Sequence, residues 1–181
     1  MSSEKALVLS SGGVDSTTLL AMACHRYGKE NVVALSIYYG QKHKKEMEAS
    51  DNVAKYYGVE HIKLDLSTIF RYSDCSPVST YVPFRNGLFL STAASVALSK
   101  GCTLLMYGAH ADDAAGNAYP DCSMAFVEAM NTAIYEGSGK QLRIEAPFAG
   151  MNKAAVVAEG KKLGVPYEMT WSCYEGGDEP C

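Results

Sequence analysis

Five short apolar runs, each followed by a stretch compatible with a helix, are the feature that most constrains the fold of this chain. The first run begins at Leu7, and the others cover residues 31–38, 60–66, 103–108 and 141–145. Apolar runs of this length between turn signals are typical of buried strands. Strands that alternate with helices predict a parallel sheet, because parallel neighbours need a crossover long enough to contain a helix.

The intervening helices are predicted from apolar periodicity and from glycine stop signals. In the first helix, Leu20, Ala23 and Tyr27 recur at helical spacing on one face. Several helices end at a glycine, which accepts the left-handed conformation that follows a last helical turn. The pattern therefore predicts an α/β fold, a doubly wound parallel five-stranded sheet with helices on both faces. The predicted helices cover residues 16–27, 42–57, 85–99, 123–135 and 153–163.

The segments that follow the strands are where a functional site is expected. In open parallel sheets, ligands bind outside the carboxyl ends of the strands. These segments also contain most of the unusual residues of the chain, including its Ser/Gly-rich and Asp-rich stretches. They cover residues 10–16, 38–43, 66–86, 108–122 and 147–153.

The first of these segments, SSGGVDS at residues 10–16, predicts a phosphate site. Successive backbone N–H groups of such a turn can converge on an anion, and the following helix adds its positive end. Gly12 and Gly13 permit close approach of the main chain, and Asp15 can orient the turn or help to hold Mg²⁺. The segment is neither a G-x-x-x-x-G-K-[ST] loop nor a G-x-G-x-x-G fingerprint. A serine-capped helix start is the alternative for a bare Ser-Gly-Gly.

The string S-G-G-V-D-S at residues 11–16 resembles the pyrophosphate-binding loop of the N-type ATP pyrophosphatases, or PP-loop proteins. The resemblance implies a domain with the adenine nucleotide alpha hydrolase-like fold over residues 1–170. It also implies a loop that grips the β and γ phosphates of ATP as a leaving group, which accounts for the missing loop lysine. The nucleotide-binding residues implied are Ser10, Ser11, Gly12, Gly13, Val14, Asp15, Ser16 and Thr17, with Ile37 and Gly108 flanking the nucleotide.

Positive charge for the leaving pyrophosphate must then come from outside the loop. Mg²⁺ is one source. Lys153, at the start of the helix after the fifth strand, is the candidate side chain. A solvent-facing lysine near a helix N-terminus is an equally good interpretation, since lysine is common on helix surfaces.

Further motifs follow the other strands of the chain. They are YGQKHKKE at residues 39–46, PFRN at 83–86, GAHADD at 108–113, YPDC at 119–122 and SCYE at 172–175. Together they narrow the resemblance to the 7-cyano-7-deazaguanine synthase family, over residues 7–181. This resemblance implies conversion of 7-carboxy-7-deazaguanine, ammonia and ATP to 7-cyano-7-deazaguanine, with release of AMP and pyrophosphate, in the pathway to queuosine and related deazaguanines.

Acidic and histidine residues in these motifs are candidates for catalysis and substrate binding. Asp112 and Asp113 could hold Mg²⁺ or accept N–H groups from a guanine-like edge, and Asp121 is a second candidate for that edge. His110 or His43 could take a proton from ammonium, since histidine titrates near neutral pH. A helix-capping aspartate and a surface histidine are the alternatives.

Arg85 could contact a phosphate or the substrate carboxylate, and its alternative is a surface ion pair. The catalytic candidates are Asp15, Ser16, His110, Asp113 and Lys153. The substrate-binding candidates are Tyr39, Gln41, Arg85, Asn86, Asp112, Tyr119 and Asp121.

The six cysteines of the chain are expected to be thiols or metal ligands rather than disulfides. The resemblance implies a small C-terminal extension, starting at residues 171–181, with Zn²⁺ bound by four cysteines. This chain supplies Cys173 and Cys181. Because a structural zinc is normally closed by four ligands, we expect the other two beyond residue 181; loss of the site is the alternative.

Composition bears mainly on partners and location. The net charge of −4 disfavours broad binding to nucleic acid. No apolar stretch is long enough to cross a membrane and no signal peptide is seen, so we expect a cytoplasmic protein without membrane contact. The resemblance implies a homodimer. The alternatives are a tRNA-thiolating PP-loop enzyme, which would be expected to carry a catalytic cysteine pair, and a non-catalytic nucleotide-binding relative.

Overall fold

A parallel sheet forms the centre of the molecule. The computed structural model describes residues 4–40, 45–70, 82–114 and 119–171. The strands are parallel and lie in the order β3-β2-β1-β4-β5, which confirms the predicted five-stranded sheet. The strands are β1 (Ala6–Leu9), β2 (Val32–Tyr38), β3 (Glu60–Asp65), β4 (Leu104–Met106) and β5 (Arg143–Glu145).

Helices occupy the crossovers between the strands. Of the helices described, α3 and α5 were not predicted, because four residues are too few to leave an apolar period in the sequence. The helices are α1 (Val14–Tyr27), α2 (Lys45–Tyr57), α3 (Ser67–Phe70), α4 (Arg85–Ser99), α5 (Ala111–Ala114), α6 (Met124–Gly137) and α7 (Lys153–Lys162). Short 3-10 segments lie at Lys29–Asn31, Pro120–Cys122 and Tyr167–Met169.

Apolar side chains cover both faces of the sheet, because successive residues of a strand point to opposite sides. In β1, Leu7 belongs to a core shared with α4 and α6, whereas Ala6 and Val8 belong to a core shared with α1, α2 and α7. All three side chains are fully buried. Burial from both sides explains why β1 is an uninterrupted apolar run, and it confirms the doubly wound arrangement.

The order of the strands creates a crevice at the carboxyl end of β1. From β1 the chain moves to β2 and β3 on one side of the sheet, then returns to place β4 and β5 on the other side. Connections that leave two adjacent strands in opposite directions open a crevice between them. The turns after β1 and β4 therefore lie next to each other.

Several predicted features fall outside the described ranges. Gln41 and His43 do, and so do Cys173 and Cys181. The zinc extension, and the boundary between residues 1–170 and 171–181, therefore remain predictions. Within the described ranges, every helix is too short or too polar to pass through a bilayer.

Candidate active site

The turn after β1 is held in shape by main-chain contacts. Ser10 donates its N–H to the carbonyl of Leu35 in β2 at 2.8 Å, so the turn leaves the sheet from a fixed point. Gly12 has a φ of +85°, and a Cβ there would lie 2.5 Å from the Glu46 carbonyl oxygen and 2.6 Å from the Ser50 nitrogen. Glycine is required because L side chains rarely adopt this φ and the main chain of α2 leaves no space.

Ser16 closes the turn onto the first turn of α1. Its hydroxyl donates to the Gly13 carbonyl at 3.2 Å and accepts from the Ser11 N–H at 3.1 Å. Thr17 donates its N–H to the same carbonyl at 3.0 Å. Gly13 is the N-cap of α1 and provides no side-chain cap. The start of α1 therefore combines the positive end of a helix dipole with closely approachable main chain, which suits an anion.

The carboxylate of Asp15 is the charged centre of the site. Its Oδ2 accepts from Lys153 Nζ, at the start of α7, and lies 3.6 Å from His110 Nε2. Its Oδ1 is buried and has no hydrogen-bond partner among the described residues. A buried carboxylate oxygen without a donor is a place for a cation or for a donor group of a ligand.

A cavity of about 330 Å³ lies at these groups, within the usual size range of small-molecule sites. The cavity lies at the carboxyl ends of the strands, as the sequence analysis predicts for the site. The sheet thus brings together residues from turns that are far apart in the sequence. The predicted residues that line it are Ser10, Ser11, Gly13, Asp15, Ser16, Ile37, Tyr39, Arg85, Asn86, Gly108, His110 and Lys153.

Aromatic rings and a guanidinium form another part of the lining. Arg85 Nη1 donates to Tyr39 Oη at 3.1 Å, and the guanidinium carbon lies 5.4 Å from the centre of the Tyr39 ring. The rings of Tyr39 and Phe89 are 5.5 Å apart, at an angle of 58°. Such a surface suits a planar heterocycle, with the guanidinium as a donor to an anionic group.

Two predicted substrate-binding aspartates support the main chain instead of lining the cavity. Asp112 Oδ2 accepts from the Lys153 N–H at 2.8 Å, at the start of α7. Asp121 is buried, and its Oδ2 accepts from the Asn86 N–H at 2.9 Å, in the first turn of α4. Burial raises the pKa of Tyr107, whose hydroxyl donates to the Asp121 carbonyl at 3.1 Å. Both aspartates therefore position helices that carry cavity residues.

The remaining predicted residues divide into two groups. The side chain of Asp113 is outside the described set, although its backbone lies in α5. The others are described but do not line the cavity, so their ligand contacts stay predictions. They are Gly12, Val14, Thr17 and Tyr119.

Comparison with known proteins assigns this chain to a family. The family model described as "Queuosine biosynthesis protein QueC" matches residues 5–181. The chain belongs to the QueC family. It is 44% identical over 195 residues to a 7-cyano-7-deazaguanine synthase of Archaeoglobus fulgidus, an alignment that covers 98% of this chain and 80% of that protein. The synthase of Thermoplasma acidophilum is 42% identical, over 100% of this chain and 83% of that protein.

Solved structures of low identity share the fold of this QueC family chain. NMN synthetase from Francisella tularensis has a TM-score of 0.64 at 16% identity, covering 95% of this chain and 66% of that one. NH3-dependent NAD synthetase from Campylobacter jejuni has a TM-score of 0.62 at 19% identity, covering 93% and 68%. A U34-tRNA thiolase from Methanococcus maripaludis has a TM-score of 0.61 at 18% identity, covering 94% and 60%. These likenesses confirm the fold class alone.

The QueC family chain also has cavity residues that the sequence did not predict. Trp171 donates its main-chain N–H to the Gly12 carbonyl at 3.0 Å, and Lys45 Nζ lies 4.5 Å from the centre of the Trp171 ring. Trp171 is the single tryptophan of the chain, which was the available signal. Apolar residues at strand ends look like core in a sequence and give no such signal. The unpredicted lining residues are Leu9, Leu35, Glu46, Met47, Phe89, Tyr107 and Trp171.

The described residues bear on the predicted Mg²⁺ but not on the predicted Zn²⁺, whose expected ligands Cys173 and Cys181 lie outside the described ranges. Within the described ranges, no group of three or more His, Cys, Asp or Glu side chains is placed to hold a metal. Mg²⁺ bound with ATP needs only one or two carboxylates, because phosphates and waters complete its shell. The buried Asp15 Oδ1 fits that requirement. The described cysteines are free, and burial raises the pKa of Cys24 to about 11, so it stays a thiol.

Proposed function

We propose that this chain converts 7-carboxy-7-deazaguanine and ammonia into 7-cyano-7-deazaguanine with consumption of ATP, as a nitrile-forming carbon–nitrogen ligase. The observation that carries the proposal is the match of nearly the whole chain to curated proteins of that name. The turn of residues 10–16, which opens into the cavity, supports it. The same match favours this function over thiolation of tRNA and over nucleotide binding without catalysis.

The first step activates the carboxylate, because oxide is not a workable leaving group. A carboxylate oxygen of the substrate attacks the α-phosphorus of ATP, the bond from that phosphorus to the bridging oxygen breaks, and pyrophosphate leaves. The turn of residues 10–16 binds the β and γ phosphates at the start of α1. Lys153 then exchanges its contact with Asp15 for the leaving pyrophosphate, where negative charge develops.

The second half of the reaction builds the nitrile. Ammonia attacks the acyl carbon, the carbon–oxygen bond to AMP breaks, and an amide forms. The amide oxygen then attacks the α-phosphorus of a second ATP and releases a second pyrophosphate. The adenylated amide loses both N–H protons, its carbon–oxygen bond to AMP breaks, and the nitrile remains. His110 is the candidate proton acceptor, because it lines the cavity and its Nε2 lies 3.6 Å from Asp15 Oδ2.

The heterocycle of the substrate is proposed to lie against Tyr39 and Phe89, with its carboxylate near Arg85. Asn86 lines the same cavity. Substrate contacts by other predicted residues rest on the family resemblance alone. These residues are Gln41, Asp112, Asp113, Tyr119 and Asp121.

Product stoichiometry tests the proposed function. The protein is incubated with 7-carboxy-7-deazaguanine, ammonium and Mg²⁺-ATP, and nitrile, amide and AMP are measured by liquid chromatography and mass spectrometry. Because each activation releases one AMP, we expect two AMP for each nitrile formed. Without ammonium, we expect exchange of labelled pyrophosphate into ATP but no amide. Formation of ADP in place of AMP, or no nitrile, would contradict the proposal.

Asp15→Asn is expected to lower kcat/KM for AMP release by at least about 100-fold, because it removes the charge that would hold Mg²⁺ against the phosphates. Bound Mg²⁺ neutralises phosphate charge, and the buried Oδ1 is the oxygen that would contact it. The measurement is the rate of AMP release against Mg²⁺ concentration. Glu128→Gln, an exposed carboxylate on α6, is the control. An unchanged Mg²⁺ dependence in Asp15→Asn would remove Asp15 from this role.

Four finer features complete the proposal. They are Zn²⁺ at Cys173 and Cys181, a homodimer, small-molecule substrates without a nucleic-acid partner, and a cytoplasmic location. The net charge of −4 supports the absence of a nucleic-acid partner. The three cysteines in the described part of the chain, Cys24, Cys102 and Cys122, are free thiols, which supports a reducing compartment.

A further inference from the structure

A chain of polar side chains runs beneath the phosphate-binding turn, outside the cavity. Ser36 of β2 is buried, and its hydroxyl donates to the Ser10 carbonyl at 2.5 Å. The same Oγ lies 2.8 Å from His61 Nε2. On the other side of the ring, His61 Nδ1 lies 3.0 Å from Asp51 Oδ1. Lys63 Nζ also donates to the Asp51 carboxylate, at 2.8 and 2.9 Å.

Ser36 acts where β1 leaves the sheet. The ladder between β1 and β2 ends with Leu9 opposite Leu35, and the next carbonyl, that of Ser10, takes a side-chain donor instead. This carbonyl belongs to the peptide unit that carries the Ser11 N–H. Because a peptide unit is planar, holding the carbonyl sets the direction of that N–H in the phosphate-binding turn.

The number of protons available to these polar side chains fixes which atom donates in each hydrogen bond. The Ser10 carbonyl oxygen can only accept, so the single hydroxyl proton of Ser36 has to lie between two oxygens that are 2.5 Å apart. His61 Nε2 must then donate to Ser36, and Nδ1 must donate to the Asp51 carboxylate. Both ring nitrogens carry a proton only in the imidazolium form.

Loss of one proton from His61 removes one of these bonds. Burial lowers the pKa of His61; Asp51 of α2 acts in the opposite direction, and Lys63 of β3 and Lys55 of α2 act with burial. The neutral ring keeps its proton on Nδ1, since a hydrogen bond to a carboxylate is stronger than one to a hydroxyl. The bare Nε2 then accepts the proton of Ser36, and the loop carbonyl loses its donor.

We propose that His61 is a positioning residue for the phosphate-binding turn: its imidazolium form, acting through Ser36, holds the Ser10 carbonyl and so keeps the Ser11 N–H on Ser16 Oγ, the contact that closes the turn proposed to bind the ATP phosphates. The inference rests on the proposed function only in taking ATP as the ligand of the turn. By linkage, bound phosphate raises the proton affinity of His61. Affinity for ATP therefore increases as the pH falls through the His61 titration, which lies below its ordinary value of 6.5.

Two substitutions separate the two donors of the ring. In His61→Gln, an amide nitrogen lies near the position of Nε2 and can donate to Ser36, and the side chain does not titrate. In His61→Asn, the shorter side chain can replace only the Nδ1 donor to Asp51. We expect His61→Gln to bind Mg²⁺-α,β-methylene-ATP with the affinity of the acidic wild type and without its pH dependence. His61→Asn and Ser36→Ala are expected to bind about three- to tenfold more weakly at low pH, since one hydrogen bond to the turn is lost.

The dissociation constant is measured by calorimetry between about pH 5.5 and 8, where histidine titrates. The nucleotide and the other side chains titrate in His61→Gln as they do in the wild type. The difference between the two pH profiles of the dissociation constant therefore reports His61 alone. In the kinetic assay, the variants are expected to change KM for ATP and leave kcat within about twofold. A purely architectural role would shift affinity equally at every pH.

Nitrogen-15 shifts of the His61 ring, assigned by difference from His61→Gln, report the two protons directly. We expect both nitrogens protonated at low pH, a proton on Nδ1 alone at high pH, and a midpoint raised by the nucleotide analogue in the wild type but not in Ser36→Ala. An unchanged pH dependence in His61→Gln, or a neutral ring with its proton on Nε2, would overturn the inference. Failure of every form to bind the analogue would count against the proposed function instead, and the shifts still decide the protonation of His61.

Discussion

Replacing Lys153 with methionine is expected to slow adenylation by about 100- to 1,000-fold, the usual cost of removing one stabilising group from a developing oxyanion. Lys153 lines the cavity and pairs with Asp15, so its ammonium is next to the phosphate-binding turn. Methionine keeps most of the aliphatic stem and removes only the charge. The measurements are single-turnover release of AMP and exchange of labelled pyrophosphate into ATP.

Lys161→Met is the matched control, because Lys161 is exposed on the same helix and does not line the cavity. We expect its rate to stay within about twofold of the wild type. The free energy of unfolding of Lys153→Met should fall by no more than about 1 kcal/mol, since the ion pair is partly exposed. If Lys153→Met and Lys161→Met released AMP at equal rates, Lys153 would have no role at the leaving pyrophosphate and would be a surface lysine like Lys161.

Gly12→Ala is expected to lower the free energy of unfolding by roughly 3 kcal/mol and to abolish measurable binding of ATP. The φ of +85° is unfavourable for alanine, and the added Cβ would lie 2.5 Å from the main-chain oxygen of Glu46. Main chain inside a helix cannot move aside as a flexible side chain can. The turn must therefore separate from α2, and its N–H groups lose their arrangement. Urea unfolding and calorimetric binding of the nucleotide are the measurements.

Gly137→Ala is the control for Gly12→Ala. Gly137 is the last residue of α6, and a Cβ there meets no atom within 4 Å. We expect unchanged affinity for ATP and a stability equal to the wild type or higher by up to about 1 kcal/mol, because alanine restricts the unfolded chain. A Gly12→Ala protein as stable as Gly137→Ala, with intact binding, would contradict the contact between the turn and α2.

The turn after β1 could be predicted because all of its signals are local. An apolar run, two adjacent glycines and a helical period follow each other within residues 7–27, and the structure confirms β1 and α1 there. Lys153 is the opposite case, since 138 residues separate it from Asp15. A lysine at a helix start has the same sequence signature whether it meets solvent or a carboxylate.

Asp121 shows a second kind of limit. Its motif suggested contact with the N–H edge of a base, which stays a prediction, and the structure shows its Oδ2 accepting the main-chain N–H of Asn86. A carboxylate has the same chemistry toward either donor, so residue type cannot distinguish them. Ser36 is a similar case. In the sequence it only interrupts the apolar run of β2, and its role became visible when the structure showed its hydroxyl donating to the Ser10 carbonyl.

By itself, the sequence determined the α/β class, the five strands, the turn of residues 10–16 between β1 and α1, and the family, because these follow from periodicity and from contiguous motifs. Only the tertiary structure decided which groups meet: the side chain of Lys153 and that of Asp15, the Ser36 hydroxyl and the Ser10 carbonyl, and the main-chain N–H of Trp171 and the Gly12 carbonyl. These contacts depend on the order of the strands and on how each crossover packs against the sheet. Such distances are properties of the whole packed core, and no local stretch of sequence contains them.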